Sequence, residues 1–513
     1  MMRSRSLVGA LVLLIVLPTI AGLATAFSPA GVAEWRYWWH DARGWSMLVT
    51  SVAFAAVGAT IALLFGAIVA FSLPRSQFWS RLILAICALP MLVPSSLMGA
   101  GWIMALGRDA VVTNNLRLLL GDDAPTIYLW PMAAGATGLR YFALAAMIVA
   151  SARGTIEQSR IAETVFSVSF RSRLRLRFSA LRASFIASWL ILIVLIFSDH
   201  ILPGLFLIHT FGTEVLIQYN ALMNPAGAAV LAMIPTVLSL AAATMVMRVL
   251  LRRAWTDRQR HEARANDRWP LAWLAIIIAV ILPLLGLMVK AQGVINLATA
   301  WQDARAETIH SIWLSLVAAC ISVLVSLPLV RAALRAHYEG RGTFVWSILT
   351  NLVVPGSLLA LGIVSLAAFR PFRAIRDTEI PLIFGYVARF APIALLLLFL
   401  AWLRLPHAAD LAGQIHCRSK WGRFTRVTLP PRAPALTSAF TVAILLTAAE
   451  LEISLILVRP GPTTLGVRLY SLIHTAPDAI VSSLACDILL LVLVVIIGAL
   501  LLRQITMLRR NPA

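Results

Sequence analysis

The stretch that decides the fold runs from Ser46 to Leu73 and reads SMLVTSVAFAAVGATIALLFGAIVAFSL, without a charged side chain. A bilayer core about 30 Å thick is crossed by a helix of about 20 apolar residues. A helix that is apolar on every side has no face to expose to water, whereas lipid accommodates all of its faces. The stretch is therefore predicted to be a transmembrane helix.

The composition of the whole chain agrees with a membrane protein. Of 513 residues, 60% are apolar and only 13% are charged, whereas soluble domains carry about 25% charged residues. The net charge of +21 is an arginine surplus, which in a membrane protein reports topology. With so apolar a chain, no nucleic-acid partner is expected. The four cysteines are scattered singly, so neither a disulfide framework nor a metal site is expected.

Similar apolar stretches recur and predict an all-α polytopic membrane protein of about 12 transmembrane helices. The predicted spans are 7–27, 46–73, 82–106, 128–152, 184–206, 226–250, 270–289, 309–330, 344–368, 380–403, 434–457 and 479–502.

Basic residues predict the orientation of these spans. With Met1 in the cytoplasm, 30 of the 43 lysines and arginines fall in cytoplasmic segments, 11 fall outside, and two lie within spans. Cytoplasmic loops carry such an excess, so both termini are predicted to be cytoplasmic. The first span follows Arg3 and Arg5 and ends in Ala24-Thr25-Ala26. We expect it to remain as an anchor, and its removal as a signal peptide stays open.

The two halves of the chain align with each other, which predicts a tandem repeat. Six helices per copy is an even number, so the two copies are expected to run parallel. The predicted organisation is a first six-helix repeat (1–250), a basic cytoplasmic linker (251–269) and a second six-helix repeat (270–513). The matched residues are Ser51 with Ser311, Pro94 with Pro355, Arg140 with Arg389, Asp199 with Glu450, Thr213 with Thr464, and Tyr219 with Tyr470.

Motifs for catalysis are missing from the sequence. The only lysines, Lys290 and Lys420, do not lie in a Gly-x-x-x-x-Gly-Lys-Ser/Thr loop, which is the motif that cradles nucleotide phosphates. There is no His-Glu-x-x-His and no Gly-x-Ser-x-Gly motif. We therefore expect no enzymatic activity, no catalytic or metal-binding residues and no bound cofactor. If ATP drives the protein, a separate subunit hydrolyses it.

The cytoplasmic loop before the eleventh span carries the most informative motif, WGRFTRVTLPPRAP from Trp421 to Pro434. The loop resembles the cytoplasmic EAA loop of binding-protein-dependent ABC importer permeases. That loop has Glu-Ala-Ala, a glycine a few residues later, and Leu-Pro near its end, often followed by Arg-x-Pro. Two departures stand out, because Leu411-Ala412-Gly413 replaces Glu-Ala-Ala and Cys417 replaces the glycine.

Two further segments extend the resemblance to the ferric-iron branch of these permeases, whose relatives also import thiamine, polyamines or phosphonates. They are Tyr386-Val-Ala-Arg389-Phe-Ala-Pro392 and the stretch from Glu450 to Arg468. That branch often fuses two permease repeats in one chain.

The resemblance implies a permease subunit in the bacterial cytoplasmic (inner) membrane that forms the substrate pathway by alternating access. Its implied partners are two ABC ATPase subunits, which hold ATP and Mg²⁺, a periplasmic or lipid-anchored solute-binding protein, and the lipid bilayer. Ferric iron is the substrate that the branch suggests first, with thiamine and polyamines behind it.

In such permeases the two cytoplasmic loops dock on the ATPases. The first loop of this chain, 153–182, is more degenerate than the second, and contact of either loop with the lipid surface is the alternative. The residues implied in ATPase coupling are Glu157, Glu163, Ser167, Phe170, Arg182, Cys417, Trp421, Phe424, Leu429, Pro430 and Arg432.

Arg140 and Arg389 lie inside predicted spans at equivalent places in the two repeats. An arginine in a span costs about 2.5–3.5 kcal/mol or more unless it faces protein or water. We expect both to line the substrate pathway or to pair with Asp199 or Glu450. Snorkelling of the arginines to the cytoplasmic interface is the alternative.

The rival functional class is an ion-gradient-driven secondary transporter with six plus six helices. Such carriers usually have a Gly-x-x-x-Asp-Arg-type loop after the second span, whereas this chain has Pro74-Arg75-Ser76-Gln77-Phe78 there.

Overall fold

The structure is a computed structural model. It describes residues 2–74, 76–107, 117–118, 121, 124–152, 169–254, 269–339, 351, 354–403, 415, 417, 419–423, 427, 429–459 and 461–508. All regular secondary structure in these ranges is helical, as the sequence predicts.

The helices of the first half are long spans interrupted by short elements. A π-helical turn, Ile217–Ala221, continues α9. The helices are α1 (Met2–Ala26), α2 (Pro29–His40), α3 (Ala42–Ser72), α4 (Gln77–Leu92), α5 (Ser95–Leu106), α6 (Ala124–Ser151), α7 (Phe170–Ser198), α8 (Ile201–Leu205), α9 (Phe211–Leu216) and α10 (Pro225–Ala254).

The second half has the same mixture. Its helices are α11 (Trp269–Ile276), which a π-turn joins to α12 (Leu282–Lys290), then α13 (Val294–Asp303), α14 (Arg305–Tyr338), α15 (Gly356–Ala368), α16 (Ile380–Leu403), α17 (Lys420–Arg423), α18 (Ala433–Ala448), α19 (Glu452–Ile456), α20 (Leu465–Thr475) and α21 (Asp478–Leu508). Short 3₁₀ helices cover Arg370–Ile375 and Pro430–Arg432.

Within the described residues, nine helices are long and apolar enough to span a bilayer, or up to ten if the bent pair α4 and α5 counts as one span. The chain is thus a multi-pass membrane protein, while the number twelve stays a prediction. Three predicted spans are not among the nine. The span 82–106 is bent by 96°. The span 344–368 is described as a helix only over Gly356–Ala368, and the helix in 434–457 ends at Ala448.

Two prolines occupy equivalent helix starts in the two halves. Pro94 precedes α5 with φ −52° and ψ 139°, and Pro355 precedes α15 with φ −55° and ψ 141°. A residue before proline is pushed into extended conformation, and Val93 accordingly has φ −94° and ψ 156°. This is why the predicted span 82–106 is broken between α4 and α5.

Acidic residues end the helices of two predicted spans early, 184–206 and 434–457. α7 ends at Ser198, and Asp199 is extended with φ −79° and ψ 114°. An Asp199 carboxylate oxygen then accepts hydrogen bonds from the amides of Ile201 and Leu202, at 3.1 and 3.4 Å. Glu450, which follows α18, likewise accepts from the amide of Ile453 at 3.1 Å. Hydropathy averaged over a window does not detect these breaks, because the segments after each acid are again mostly apolar.

A threonine begins the next helix in each half. The Thr210 hydroxyl accepts from the amide three residues later, and so does the Thr464 hydroxyl, both at 3.4 Å. The first amide of each helix donates to a serine, Ser51 in the first half at 2.9 Å and Ser311 in the second at 2.7 Å. Thr464 therefore corresponds in structure to Thr210. The predicted match of Thr464 with Thr213, and with it that of Tyr470 with Tyr219, is out of register by three residues, because the connection before Thr464 is longer.

The chain divides into two compact units, and neither is a continuous half of the sequence. The predicted division into 1–250, 251–269 and 270–513 differs from the structural one because α1 belongs with the second half, whereas α11 and α12 belong with the first. Unit 1 comprises Met1–Thr25, Trp301–Arg468 and Asp487–Ala513, and unit 2 comprises Ala26–Ala300 and Leu469–Cys486.

Glycines explain how α1 packs inside unit 1. A Cβ at Gly362 of α15 would lie 1.8 Å from the carbonyl oxygen of Pro18, and one at Gly22 would lie 2.5 Å from that of Leu358. Helices in a membrane approach this closely only through small residues. Polar contacts add to the packing, because the Asn351 amide nitrogen donates to the carbonyl oxygen of Ile15 at 2.6 Å.

Unit 2 contains a similar close contact between α5 and α12. A Cβ at Gly101 would lie 2.7 Å from the carbonyl oxygen of Pro283, and one at Gly286 would lie 2.8 Å from the amide nitrogen of Ala105. In each unit, one of the two helices in this contact starts after a proline: α5 follows Pro94, and α15 follows Pro355. The same local packing thus holds the broken helix in both units.

Candidate functional site

Three charged side chains meet inside unit 1. Arg389 on α16 places its Nε atom 3.3 Å from a carboxylate oxygen of Glu450, and its Nη1 atom 2.9 Å from a carboxylate oxygen of Glu452. The two carboxylate side chains are only 8% and 9% exposed. Buried charges require such pairing. The arginine therefore joins α16 to the turn between α18 and α19.

The Glu452 carboxylate also caps the broken helix α15. Its two oxygens accept hydrogen bonds from the amides of Gly356 and Ser357, each at 2.9 Å. The first amides of a helix have no partner within the helix, and the positive end of its dipole favours an anion. A Cβ at Gly356 would lie 1.8 Å from Nη1 of Arg389 and 2.7 Å from a carboxylate oxygen of Glu452, so a larger residue would displace the ion pair. We call these residues the Arg389 cluster.

Hydroxyl groups extend this cluster. The Ser454 hydroxyl donates to the carbonyl oxygen of Glu450 at 2.9 Å and lies 2.7 Å from the Tyr386 hydroxyl, which is the donor between them. All of these groups are buried. The network fixes α19 against α16 and satisfies polar atoms that lipid cannot satisfy.

The first half has a smaller cluster, inside unit 2. The Tyr141 hydroxyl donates to an Asp199 carboxylate oxygen at 3.0 Å. Arg140, the preceding residue on α6, is 8% exposed, and its guanidinium carbon lies 5.8 Å from the centre of the Tyr141 ring. Among the described residues, no acidic group lies within ion-pair distance of Arg140, 4.0 Å. We call these residues the Arg140 cluster.

The two clusters differ in what they leave unsatisfied. Charged side chains within a membrane protein mark helix joints or solute pathways. Arg389 has two carboxylate partners and acts as a helix joint. The Nε and Nη1 atoms of Arg140 are buried and form no hydrogen bond with a described residue. The Arg140 cluster therefore keeps hydrogen-bond donors available to a ligand.

The structure brings together some of the residues predicted from sequence and separates others. Arg389 and Glu450 form a pair, whereas Asp199 is reached by Tyr141 and not directly by Arg140. Glu452, Tyr141 and Tyr386 were not among the predicted site residues. Glu452 carries a detectable signal, because it is a second acid in an otherwise apolar segment, two residues after Glu450.

The predicted coupling residues lie mostly at the edges of the described ranges, and Glu157, Glu163, Ser167 and Phe424 fall outside them. Phe170 is the first residue of α7, and Arg182 is exposed on the same helix. Trp421 lies in α17. Cys417 and Leu429 are half-buried, and Pro430 is exposed at the start of its 3₁₀ turn.

Arg432 is buried against the end of α16. It is 4% exposed, and its guanidinium carbon lies 5.0 Å from the centre of the Trp402 ring at the end of α16. A cation over an indole face is attracted to it, more strongly where water is excluded. Arg432 therefore anchors the end of the loop to unit 1, while its predicted role in ATPase coupling stays a prediction.

Over the residues that the structure describes, no three His, Cys, Asp or Glu side chains lie close enough together to hold a metal ion. No family model, curated protein or solved structure matches the chain.

Proposed function

We propose that the chain is the permease subunit of an ATP-driven ABC importer in the bacterial cytoplasmic membrane. The observation that carries this proposal is the loop motif from Trp421 to Pro434 in a multi-pass membrane protein without a nucleotide-binding loop. Because the chain lacks that loop, ATP and Mg²⁺ bind to two separate ATPase subunits. Both termini are cytoplasmic in this proposal.

Local structure in the two halves supports a permease of two related repeats. Each half has a helix that starts after a proline, a short helix after an acidic residue, and a threonine-capped helix whose first amide donates to a serine. Parallel repeats related by an axis along the membrane normal provide two bundles that rock against each other in alternating access. The broken helices are typical of segments that border a cavity.

The coupling surface in this proposal is the segment from Cys417 to Leu429. Helix α17 within it carries Trp421, and Phe424 follows shortly after. Aromatic side chains seated in a groove of the partner supply most of the binding energy at such interfaces. The buried Arg432 anchors the end of this segment to the transmembrane part, so a push on the segment is transmitted to α16.

The substrate follows from the resemblance alone, which points to ferric iron first and to thiamine or polyamines next. A periplasmic or lipid-anchored solute-binding protein delivers it. Identification of the solute that the neighbouring binding protein retains is the direct test of this assignment.

Buried carboxylates favour one alternative, a secondary transporter driven by an ion gradient. Asp487 lies in the span Asp478–Leu502 and is 8% exposed, and its Oδ2 atom has no hydrogen-bond partner among the described residues. Acidic residues in spans are typical of proton relays. Uptake by the purified chain alone under a proton gradient would favour this alternative.

Replacement of Trp421 and Phe424 by aspartate is expected to abolish co-purification with the ATPase. Two aromatic anchors are lost, and two charges face the partner's groove. We expect recovery of ATPase with the tagged chain to fall at least tenfold, which corresponds to a loss of about 1.4 kcal/mol or more in binding free energy.

The matched control for this change is Phe78→Asp with Trp79→Asp. These residues are of the same two types, are exposed, and lie on another predicted cytoplasmic loop. The control is expected to keep the ATPase. Unchanged assembly of the Trp421 and Phe424 variant, with normal membrane insertion, would defeat the docking proposal.

A further inference from the structure

The two arginine clusters differ at one decisive position. Asp199 and Glu450 correspond, since each precedes a short helix by the same number of residues. In this alignment Ile201 of α8 corresponds to Glu452 of α19. The carboxylate that pairs with Arg389 and caps α15 therefore has a hydrophobic counterpart in the first half.

Glu452 caps α15 in the second half. The counterpart of α15 in the first half is α5, which is twelve residues long. Its first residues, Ser95 and Ser96, correspond to Gly356 and Ser357, and among the described residues no side chain accepts a hydrogen bond from their amides. The Ser96 hydroxyl is completely buried and forms no hydrogen bond with a described residue. The start of a helix with uncapped amides favours an anion through both hydrogen bonds and the helix dipole.

Arg140 supplies the second, independent observation. It is 92% buried, since its exposure is 8%, and its Nε and Nη1 atoms have no partner among the described residues. In the second half the equivalent guanidinium lies against the first residue of the proline-broken helix, 1.8 Å from a Cβ built on Gly356. An arginine fork with free donors is suited to a carboxylate or phosphate group.

Helices α5, α6 and α8 contact one another in unit 2. A Cβ at Gly99 of α5 would lie 2.3 Å from a side-chain atom of Leu205 on α8. Tyr141 of α6 is hydrogen-bonded to Asp199, which caps α8. Helices α5, α6 and α8 thus form one packed group in unit 2.

The charges of the two clusters support the same conclusion. The Arg389 cluster contains one guanidinium and two carboxylates, whereas the Arg140 cluster contains one guanidinium and one carboxylate. One negative charge added to the Arg140 cluster would give it the same net charge as the Arg389 cluster. Buried donors without an acceptor are costly in a membrane protein, and an anionic ligand removes that cost.

We infer that Arg140 and the first turn of α5 bind a soluble oxyanion, a carboxylate or phosphate group, in the place that the Glu452 side chain takes in the second half. This inference rests on the proposed function in one respect. If the chain is a permease, the solute that it transports carries a carboxylate or phosphate group or travels with one.

Inorganic phosphate is the probe for this site. The full chain is purified in a maltoside detergent, and thermal unfolding is followed in sodium phosphate and in sodium chloride of equal ionic strength. Phosphate is expected to raise the midpoint by about 2–4 °C, as a ligand that binds only the folded state does. The Arg140→Gln variant is expected to lose this shift.

The Ile201→Glu variant supplies the missing carboxylate within the chain and is the sharper test. It is expected to unfold at a higher temperature than the wild type in chloride, and to show no further shift in phosphate. The Arg370→Gln variant, which removes an exposed arginine, controls for surface binding and is expected to keep the full shift.

Three results would overturn the inference. They are a midpoint that phosphate does not raise in the wild type, a shift that persists unchanged in Ile201→Glu, and a shift produced by added phosphatidylglycerol but not by phosphate. If Arg140→Gln does not fold, Ile201→Glu alone decides. No ATPase is present in this experiment, so its failure is distinct from a failure of the coupling experiment above.

Discussion

Arg389→Leu is expected to destabilise the protein by about 3–5 kcal/mol, because removal of one partner of a buried ion pair leaves an uncompensated charge. Here the loss leaves two buried carboxylates, those of Glu450 and Glu452. The Glu452 carboxylate would still accept two amides of α15, which places the loss toward the lower end of that range. Thermal unfolding of the detergent-purified chain, together with its yield from the membrane, measures the effect.

Two comparisons separate this cause from a general effect of losing an arginine. Arg140→Leu is expected to change stability in chloride much less, because Arg140 has no described carboxylate within ion-pair distance. Adding Glu450→Gln and Glu452→Gln to Arg389→Leu is expected to recover part of the loss, because no unpaired charge then remains. Equal losses in the two leucine variants would contradict this account of the Arg389 cluster.

Gly362→Ala is expected to have the second large effect. Its Cβ would lie 1.8 Å from the carbonyl oxygen of Pro18, a backbone atom that cannot move aside without displacing α1. Overpacking a close contact costs about 1–3 kcal/mol, occasionally more. We expect a clear fall in the thermal midpoint and in the amount of folded protein extracted.

Gly498→Ala is the matched control, because it is the same substitution in a long helix, and nothing lies within 4 Å of the added Cβ. It is expected to leave stability unchanged or slightly higher, since alanine is the better helix former. Gly101→Ala, where the Cβ would lie 2.7 Å from the carbonyl oxygen of Pro283, is expected to fall between the two. A harmless Gly362→Ala would argue against the packing of α1 in unit 1.

The sequence predicted the membrane-spanning helices well, because their signal is local. Long apolar stretches such as 46–73 and 380–403 coincide closely with α3 and α16. The break before Pro94 also has a local cause, because a residue that precedes proline is pushed into extended conformation. Both effects depend on the chemistry of a few consecutive residues, so a single sequence is sufficient to detect them.

Non-local features were not predictable in the same way. The early ends of α7 and α18 arise because Asp199 and Glu450 accept amide hydrogen bonds, while hydropathy continues unchanged beyond them. The placement of α1 with the second half depends on glycines distant in sequence, Gly22 and Gly362. Periodicity carries no information about which distant helix a given glycine contacts.

The candidate site was predictable only in outline. Arg140, Arg389, Asp199 and Glu450 were identified because charges in spans are costly. The role of Glu452 required three-dimensional information, since it depends on the two free amides at the start of α15. The asymmetry between the clusters also appeared only when the structure aligned Glu452 with Ile201.

We propose that this chain forms a pathway and takes its energy from a separate ATPase. Reconstitution into liposomes tests it most directly, with uptake of the solute measured for the chain alone and for the chain with its ATPase subunits and binding protein. We expect uptake only in the complete assembly, only with ATP, and lost in the Trp421→Asp, Phe424→Asp variant. Uptake by the chain alone under a proton or sodium gradient, without ATP or any other subunit, would contradict the account.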